Sequence, residues 1–387
     1  GAGVVLAGAI PASMKLAERL DAPVCVGYQH NDAFPGSHPL FVGPLGYNGS
    51  KAGMQIIADA DVVLCLGTRL NPFSTLPGYG LDYWPKDAKI IQVDINPDRI
   101  GLTKKVAVGI IGDAKKVANS ILDRLSATAG DAGRAQRREK ISKTKSQWAQ
   151  QLSSIDHEDD DPGTSWNERA RAAKPDWMSP RMAWRAIQSA LPKDAIISSD
   201  IGNNCAIGNA YPTFEKGRKY LAPGLFGPCG YGLPSIIGAK IGCPDTPVVG
   251  FAGDGAFGIA VTELTAIGRK EWPPITMIVF RNYQWGAEKR NSTLWYEDNF
   301  VGTELGTTVS YAGIAKACGL KGVQVKTMEE LTDVLNTAII DQMKNGKTTL
   351  IEAMINQELG EPFRRDAMKK PVAVAGISIN DMKPQAV

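Results

Sequence analysis

Two short segments carry residue types suited to holding a metal ion against an anion. The first is Gly253-Asp254-Gly255, which follows the apolar run Thr246–Ala252. The second is Arg281-Asn282-Tyr283-Gln284, which follows the apolar run Ile275–Phe280, about 26 residues beyond Gly255. A carboxylate and an amide oxygen are hard ligands. Mg2+ takes such donors and completes its octahedron with water and phosphate oxygens. Gly253 and Gly255 carry no side chain, so backbone there can come close to an ion. A helix beginning near Ala256 turns its N–H groups and positive dipole end toward an anion. Taken singly, these are also a turn glycine, a capping Asp and a loop Asn. Their combination, each at the end of an apolar run, reads as a cradle for a metal and a diphosphate.

The elements needed to position this cradle are legible around it. Ser179-Pro180 is an N-cap and first-turn pair for a helix to Leu191, and Ala195–Ser199 is a strand. Gly230–Gly242 reads as helix, Thr246–Ala252 as strand, Ala256–Arg269 as helix and Ile275–Phe280 as strand. Thr308–Cys318 and Met328–Lys344 read as helices, Gly322–Val325 and Thr348–Ile355 as strands. Ligands of a parallel sheet bind outside the carboxyl ends of its strands, so neighbouring strands deliver Asp254 and Asn282 to one crevice. Upstream, Ile10–Leu20, Lys51–Ala58 and a stretch from Asp113 to Leu125 have helical patterns. Val24–Gly27, Asp61–Gly67, Lys89–Asp94 and Val106–Ile111 are strand-like. The expected fold is α/β, with two doubly wound parallel-sheet domains joined by a linker. The expected boundaries are 1–125, a linker at 126–178 with an exposed helix, and 179–387 ending in an irregular tail.

Composition narrows the function. The chain has 387 residues, 43 Lys plus Arg against 40 Asp plus Glu, and a net charge of +3, which gives no general pull toward nucleic acid or an acidic membrane. The basic stretch from Arg134 to Lys145 is followed by the acidic run Asp156–Asp161, which reads as a solvated helix and linker. The six cysteines form no CxxC pair, which argues against a disulfide framework or a structural zinc site and for a reduced, cytoplasmic setting. No run reaches the roughly 20 apolar residues of a membrane helix. None of the three histidines lies beside an obvious nucleophile.

With these motifs in hand, the chain resembles the thiamine diphosphate dependent enzymes of the acetolactate synthase and pyruvate decarboxylase type. Their signature is Gly-Asp-Gly followed by Asn at this spacing; many members carry Asn-Asn where this chain has Arg281-Asn282. The resemblance implies thiamine diphosphate and Mg2+ as cofactors, with the metal held by Asp254, Asn282 and the carbonyl of Gln284. Gly253, Gly255 and Ala256 would face the diphosphate. It also gives Asn203 and Asn204, in Asp200-Ile201-Gly202-Asn203-Asn204, contacts to the diphosphate, although an Asn pair also caps helices. Within Gly227–Pro234, Gly227 would offer its carbonyl to the aminopyrimidine. Cys229 falls where the family has a bulky apolar wedge that keeps the cofactor bent. It is smaller than that wedge and also reads as a packed thiol.

Longer segments are similar to the sulfoacetaldehyde acetyltransferase branch of that family: Phe280–Trp295, His30–Pro39, Gly43–Tyr47, Gly67–Phe73 and the tail Gly360–Ala367. This implies conversion of sulfoacetaldehyde and phosphate to acetyl phosphate and sulfite in taurine and sulfonate breakdown, with the acetyl group carried on the cofactor. Both substrates are anions, and Arg281, Lys289 and Arg290 are the candidate contacts, each equally readable as a solvated or salt-bridged base. The resemblance implies a homodimer or homotetramer whose partner subunit completes each site. Gly1-Ala2-Gly3 reads as the turn after a first strand. The expectation is therefore a stretch without the family's N-terminal pyrimidine domain and its activating glutamate, with no turnover by itself. Alternatives are an acetolactate-synthase-like carboligase or decarboxylase acting on pyruvate, a catalytically silent module, and a nicotinamide-binding protein. The last lacks a full GxGxxG.

Overall fold

The computed structural model describes residues 1–156, 165–224 and 226–359, and the chain divides into two units. The acidic run and Pro162-Gly163 of the expected linker, and the tail from Gly360 onward, lie largely or wholly outside the described residues.

The first unit comprises Gly1–Gln150 with Thr213–Gly217. Its helices are α1 (Ala2–Leu6), α2 (Ile10–Leu20), α3 (Lys51–Ala58), α4 (Ala114–Leu122) and most of α5 (Arg134–Asp156). Its strands are β1 (Val24–Val26), β2 (Phe41–Pro44), β3 (Val62–Leu66), β4 (Lys89–Asp94) and β5 (Val108–Ile111). All pairings are parallel, but the strands form two sheets: β1 with β2, and β3-β4-β5. Caps fix two of the helices. Ser50 accepts from the Gly53 amide at 3.2 Å, and Asp113 accepts from Lys115 and Lys116 at 3.0 Å. Gly1-Ala2-Gly3 is not a free turn: helix begins at Ala2, and the Gly3 amide bonds the Gly67 carbonyl at 2.9 Å.

The basic helix α5 is less exposed than its composition implies. Ile141, Trp148 and Leu152 are buried, and Trp148 meets Tyr79 edge-on at 5.0 Å. Arg134, Arg137 and Arg138 converge on the buried carboxylate of Asp21, with Arg138 Nε 2.6 Å from Oδ1. Apolar residues spaced along one face bury that face, while the bases on the others stay half-exposed.

The second unit comprises Gln151–Pro212 and, among the described residues, the chain from Arg218 to Leu359. Along it run α6 (Ser165–Ala173), α7 (Pro180–Ala190), β6 (Ile196–Ser199), α8 (Asn203–Ile207), β7 (Tyr220–Leu221), α9 (Gly232–Gly242), β8 (Val248–Gly253) and α10 (Asp254–Ala260). Next come α11 (Glu263–Gly268), β9 (Thr276–Arg281), α12 (Gly286–Trp295), α13 (Tyr311–Ala317), β10 (Lys321–Val325), α14 (Met328–Lys344) and β11 (Thr349–Met354). One parallel sheet has the order β10-β11-β9-β8-β6-β7. From β6 the chain steps one way to β7 and then returns to the other side for β8. The order therefore reverses at β6, which puts the ligand crevice of a doubly wound sheet at the ends of β6 and β8. Strands β9 and β11 are buried along their whole length, and β8 along all but its last residue, as expected of mainly apolar strands in a parallel sheet; Arg281 and Glu352 are the charged residues among them. The single helix expected from Ala256 to Arg269 is instead α10 and α11, interrupted at the β-branched pair Val261-Thr262. α14 opens with a full capping box between Thr327 and Glu330.

Candidate functional site

Strands β6, β8 and β9 lie side by side, with Ser199 opposite Phe251 and Gly253 opposite Phe280. Their carboxyl ends therefore set Asp200, Asp254 and Asn282 along one rim.

Asp254 is 1 % exposed, and its two oxygens are used unequally. Oδ2 accepts from Arg281 Nη1 at 3.1 Å, the Asn282 amide at 3.2 Å and the Tyr283 amide at 2.6 Å. Among the described residues Oδ1 accepts only from the Gly255 amide, at 3.0 Å. Burial pushes the Asp254 carboxyl up to about 6, against the opposing pull of Arg281 and these backbone N–H groups. Tyr283 holds φ +59°, a left-handed conformation unusual for a tyrosine, and this turns its amide onto Asp254.

The neighbouring amide is placed differently. Asn282 is 1 % exposed, and neither Oδ1 nor Nδ2 of its side chain has a hydrogen-bond partner among the described residues. A buried unpaired amide costs on the order of 1–3 kcal/mol, a cost a bound group would remove. Gln284 forms a bridge with Glu304 in which the flanking residues carry the hydrogen bonds, Trp285 N–H to Thr303 and Leu305 N–H to Tyr283. The Gln284 carbonyl therefore faces away from that bridge. Gln357 secures the loop from behind, donating to the Asn282 carbonyl at 3.0 Å and accepting from Gln284 Nε2 at 3.1 Å. One carboxylate oxygen, one amide oxygen and one carbonyl fit a hard divalent cation. No cluster of three His, Cys, Asp or Glu side chains is present among the described residues, so a cation here relies on the amide and carbonyl.

A Cβ at Gly253 would be accommodated at ordinary contact distance, its nearest neighbour being Asn204 Nδ2 at 3.9 Å. Gly255 is different. A Cβ there would sit 2.8 Å from the Trp285 ring, so this glycine answers to its neighbour's packing. Ala256 is buried in the first turn of α10.

Across the crevice, Asn203 and Asn204 open α8 and are buried. Trp184 of α7, packed between Phe251 and Phe280, donates Nε1 to the Asn204 carbonyl at 2.7 Å and so fixes that turn. Asp200, fully buried, accepts from the amides of Ile201 at 2.8 Å, Gly230 at 3.1 Å and Gly232 at 2.7 Å. It clamps the Gly227–Gly232 loop to the end of β6. Burial raises its carboxyl above the ordinary value, with these amides opposing. Gly227 has φ +73°, a conformation that favours glycine. Cys229 is half-buried, and desolvation followed by Asp200 and Glu288 pushes its thiol up, so it stays protonated.

The expected anion contacts are rearranged. Arg281 is 1 % exposed: besides Asp254, it donates Nη2 to the carbonyls of Gly306 at 3.0 Å and Val309 at 2.9 Å, and Nε lies 3.5 Å from Glu352. Its guanidinium rests 4.0 Å from the Tyr283 ring centre. Its charge is paired inside the protein, with Asp254 and Glu352. Lys289 is also buried and is paired with Glu304. Arg290 follows it, buried, on α12.

Several residues here carry no motif. Glu352 accepts from Ser310, Tyr311, Ala312 and Gln324, and Tyr311 donates its hydroxyl to the Asp254 carbonyl at 2.9 Å. The one available signal is a lone carboxylate inside the apolar strand Thr349–Met354.

Comparison with known proteins matches the chain in two stretches. Residues 1–121 match the thiamine pyrophosphate enzyme central domain, and residues 200–353 match the thiamine pyrophosphate enzyme C-terminal TPP binding domain. The chain is 81 % identical over all 387 residues to a sulfoacetaldehyde acetyltransferase of Roseovarius nubinhibens, and spans 64 % of that protein's length. It is 78 % identical over 385 residues to one of Rhodobacter capsulatus, spanning 65 % of it. A probable acetolactate synthase large subunit of Methanocaldococcus jannaschii is 28 % identical over 340 residues, which cover 88 % of this chain and 54 % of that one. With a cradle at its strand ends and both domain matches in chain order, the chain belongs to the thiamine pyrophosphate enzymes, of which it carries the central and the C-terminal cofactor-binding domains.

Proposed function

We propose that the protein containing this chain transfers the acetyl unit of sulfoacetaldehyde to phosphate, giving acetyl phosphate and sulfite, with thiamine diphosphate and Mg2+ as cofactors. The observation that carries this reading is the 81 % identity, without interruption in coverage, to an enzyme named for that activity. When bound, thiamine diphosphate supplies a nucleophilic carbon and an electron sink.

The chain's own residues bind and orient. Asp254, Asn282 and the Gln284 carbonyl hold the metal, and Asn203, Asn204, Gly253, Gly255 and Ala256 receive the diphosphate. Asp200 keeps the Gly227–Gly232 loop in register with them. The Gly227 carbonyl would take the aminopyrimidine, and Cys229 would supply apolar packing to the bound cofactor. Sulfonate and phosphate both need cationic partners, a contact we assign to Lys289 and Arg290. The setting is cytoplasmic and the assembly a homodimer or homotetramer. No helix among the described residues is long and apolar enough to cross a membrane.

The test supplies sulfoacetaldehyde with phosphate, or pyruvate, and measures sulfite release and acetyl phosphate. Sulfite release that depends on Mg2+ and thiamine diphosphate is expected. Acetolactate from pyruvate with no sulfite release would replace this reading with the carboligase one. The 387 residues alone, spanning 64 % of such a relative, are expected to give no turnover.

A further inference from the structure

Arg281 stands where many members of this family have asparagine, and the structure gives it no free hydrogen-bonding direction toward solvent. Its two terminal nitrogens reach Asp254 Oδ2, the Gly306 carbonyl and the Val309 carbonyl, and its Nε faces Glu352. Tyr283 and Tyr311 flank the guanidinium, at 4.0 Å and 5.1 Å from their ring centres. Nε makes no hydrogen bond and meets Glu352 only as an ion pair, but the three bonds of the terminal nitrogens and the two rings hold the group against a single oxygen of the metal-binding carboxylate.

That fixes what Asp254 can offer. Oδ2 already has three donors, and of these only the guanidinium carries a full charge. A dication moving to share both oxygens would approach that charge and displace it. Oδ1, which accepts one amide, remains open to a cation. Mg2+ is content with one oxygen of a carboxylate in a strict octahedron. Ca2+ is larger and takes more ligands, often both oxygens of a carboxylate.

We propose that Arg281 is a metal-selectivity residue: held by Glu352 and the two tyrosines, it confines a divalent cation to one oxygen of Asp254 and so disfavours Ca2+ relative to Mg2+. This rests on the metal reading above. Arg281 acts through Asp254 and touches no substrate, so it is a positioning residue. Its pairing with Glu352 makes the device depend on a strand outside both metal-binding loops.

The experiment is calorimetric titration of Mg2+ and of Ca2+ into the protein with thiamine diphosphate present, comparing the parent with Arg281→Met and Arg281→Lys. In Arg281→Met the preference for Mg2+ over Ca2+ is expected to narrow by about tenfold or more, chiefly through tighter Ca2+ binding. Arg281→Lys keeps the charge without the fork and is expected to fall between. A purely structural role would weaken both ions alike, so an unchanged ratio overturns the proposal. Should Arg281→Met not fold, an unchanged ratio in Arg281→Lys overturns it equally. Should the parent bind neither ion, the metal reading itself fails, an outcome distinct from an unchanged ratio.

Discussion

Asp21 in the first unit and Asp254 in the second are both buried against arginine, and the two behave differently. Asp21, in the first unit, sits at the C-terminal end of α2 with φ +50° and is 0 % exposed. It faces Arg134, Arg137 and Arg138, whose side chains are 35–54 % exposed and carry their charge outward to water. Asp254, in the second unit, faces an arginine that is itself buried, beside an amide with no hydrogen-bond partner among the described residues and a carbonyl turned from its own bridge. Asp21 Oδ2 also lacks a hydrogen-bond partner among the described residues, but it lies 3.4 Å from Arg137, so the capacity left over there is met by charge. Beside Asp254 the capacity left over belongs to a neutral amide and a carbonyl. Burial of a charge is thus a poor marker of a site; neutral oxygen donors left unpaired next to it are the better one.

Substitution at the two carboxylates should separate these roles. Asp254→Ala is expected to weaken Mg2+-dependent binding of thiamine diphosphate by at least about a hundredfold, since losses of outer-shell partners alone reach ten- to hundredfold. Calorimetric titration measures this. Asn282→Ala should weaken it less while leaving the thermal midpoint of the metal-free protein unchanged, because no described hydrogen bond is lost. A drop in that midpoint would make Asn282 structural, like Asp21.

Acid should act on the first unit through His30. Burial, with Arg69 adding, lowers its pKa from 6.5 to about 4. The unfolded chain then binds more protons than the folded one between those values. Stability contributed by the neutral ring is whole above about pH 6.5 and is lost as pH falls toward about 4, a loss on the order of 2–3 kcal/mol. Urea midpoints across that window should fall with acid in the parent and less in His30→Gln; parallel slopes would exclude His30.

The smallest effect is expected at Asp21. Asp21→Ala strands three arginines, but these can relax into water, so the cost is about 1–3 kcal/mol rather than that of a fully buried pair. Urea unfolding should register it, with cofactor affinity unchanged. A lost affinity would mean that the two carboxylates are not independent.

Much of the second unit was legible because its signals are local. Apolar β-branched runs ending in Gly253-Asp254 and Arg281-Asn282 mark buried strands and the loops after them, and Ser179-Pro180 marks the start of α7. Elements without such local patterns escaped: the two-residue β7, the five-residue α8 and the strand β2. Their existence depends on a neighbouring strand or on Trp184 rather than on their own periodicity. The basic stretch of α5 misled in the same way, since Asp21 and Tyr79, which recruit its faces, lie far away in sequence.

The sequence by itself determined the donor types and the order in which the sheet presents them: a carboxylate after β8, an amide after β9, an asparagine pair after β6. Strand ends and side-chain chemistry are written residue by residue. Only the tertiary structure decided where Arg281 spends its charge, which oxygen of Asp254 stays open, and that Asp200 ties down the Gly227–Gly232 loop. Each of these turns on contacts with groups distant along the chain, among them Glu352, Tyr311, Gly230 and Gly232. A charge is assigned by whichever partner folding brings within reach, and no local pattern records that partner.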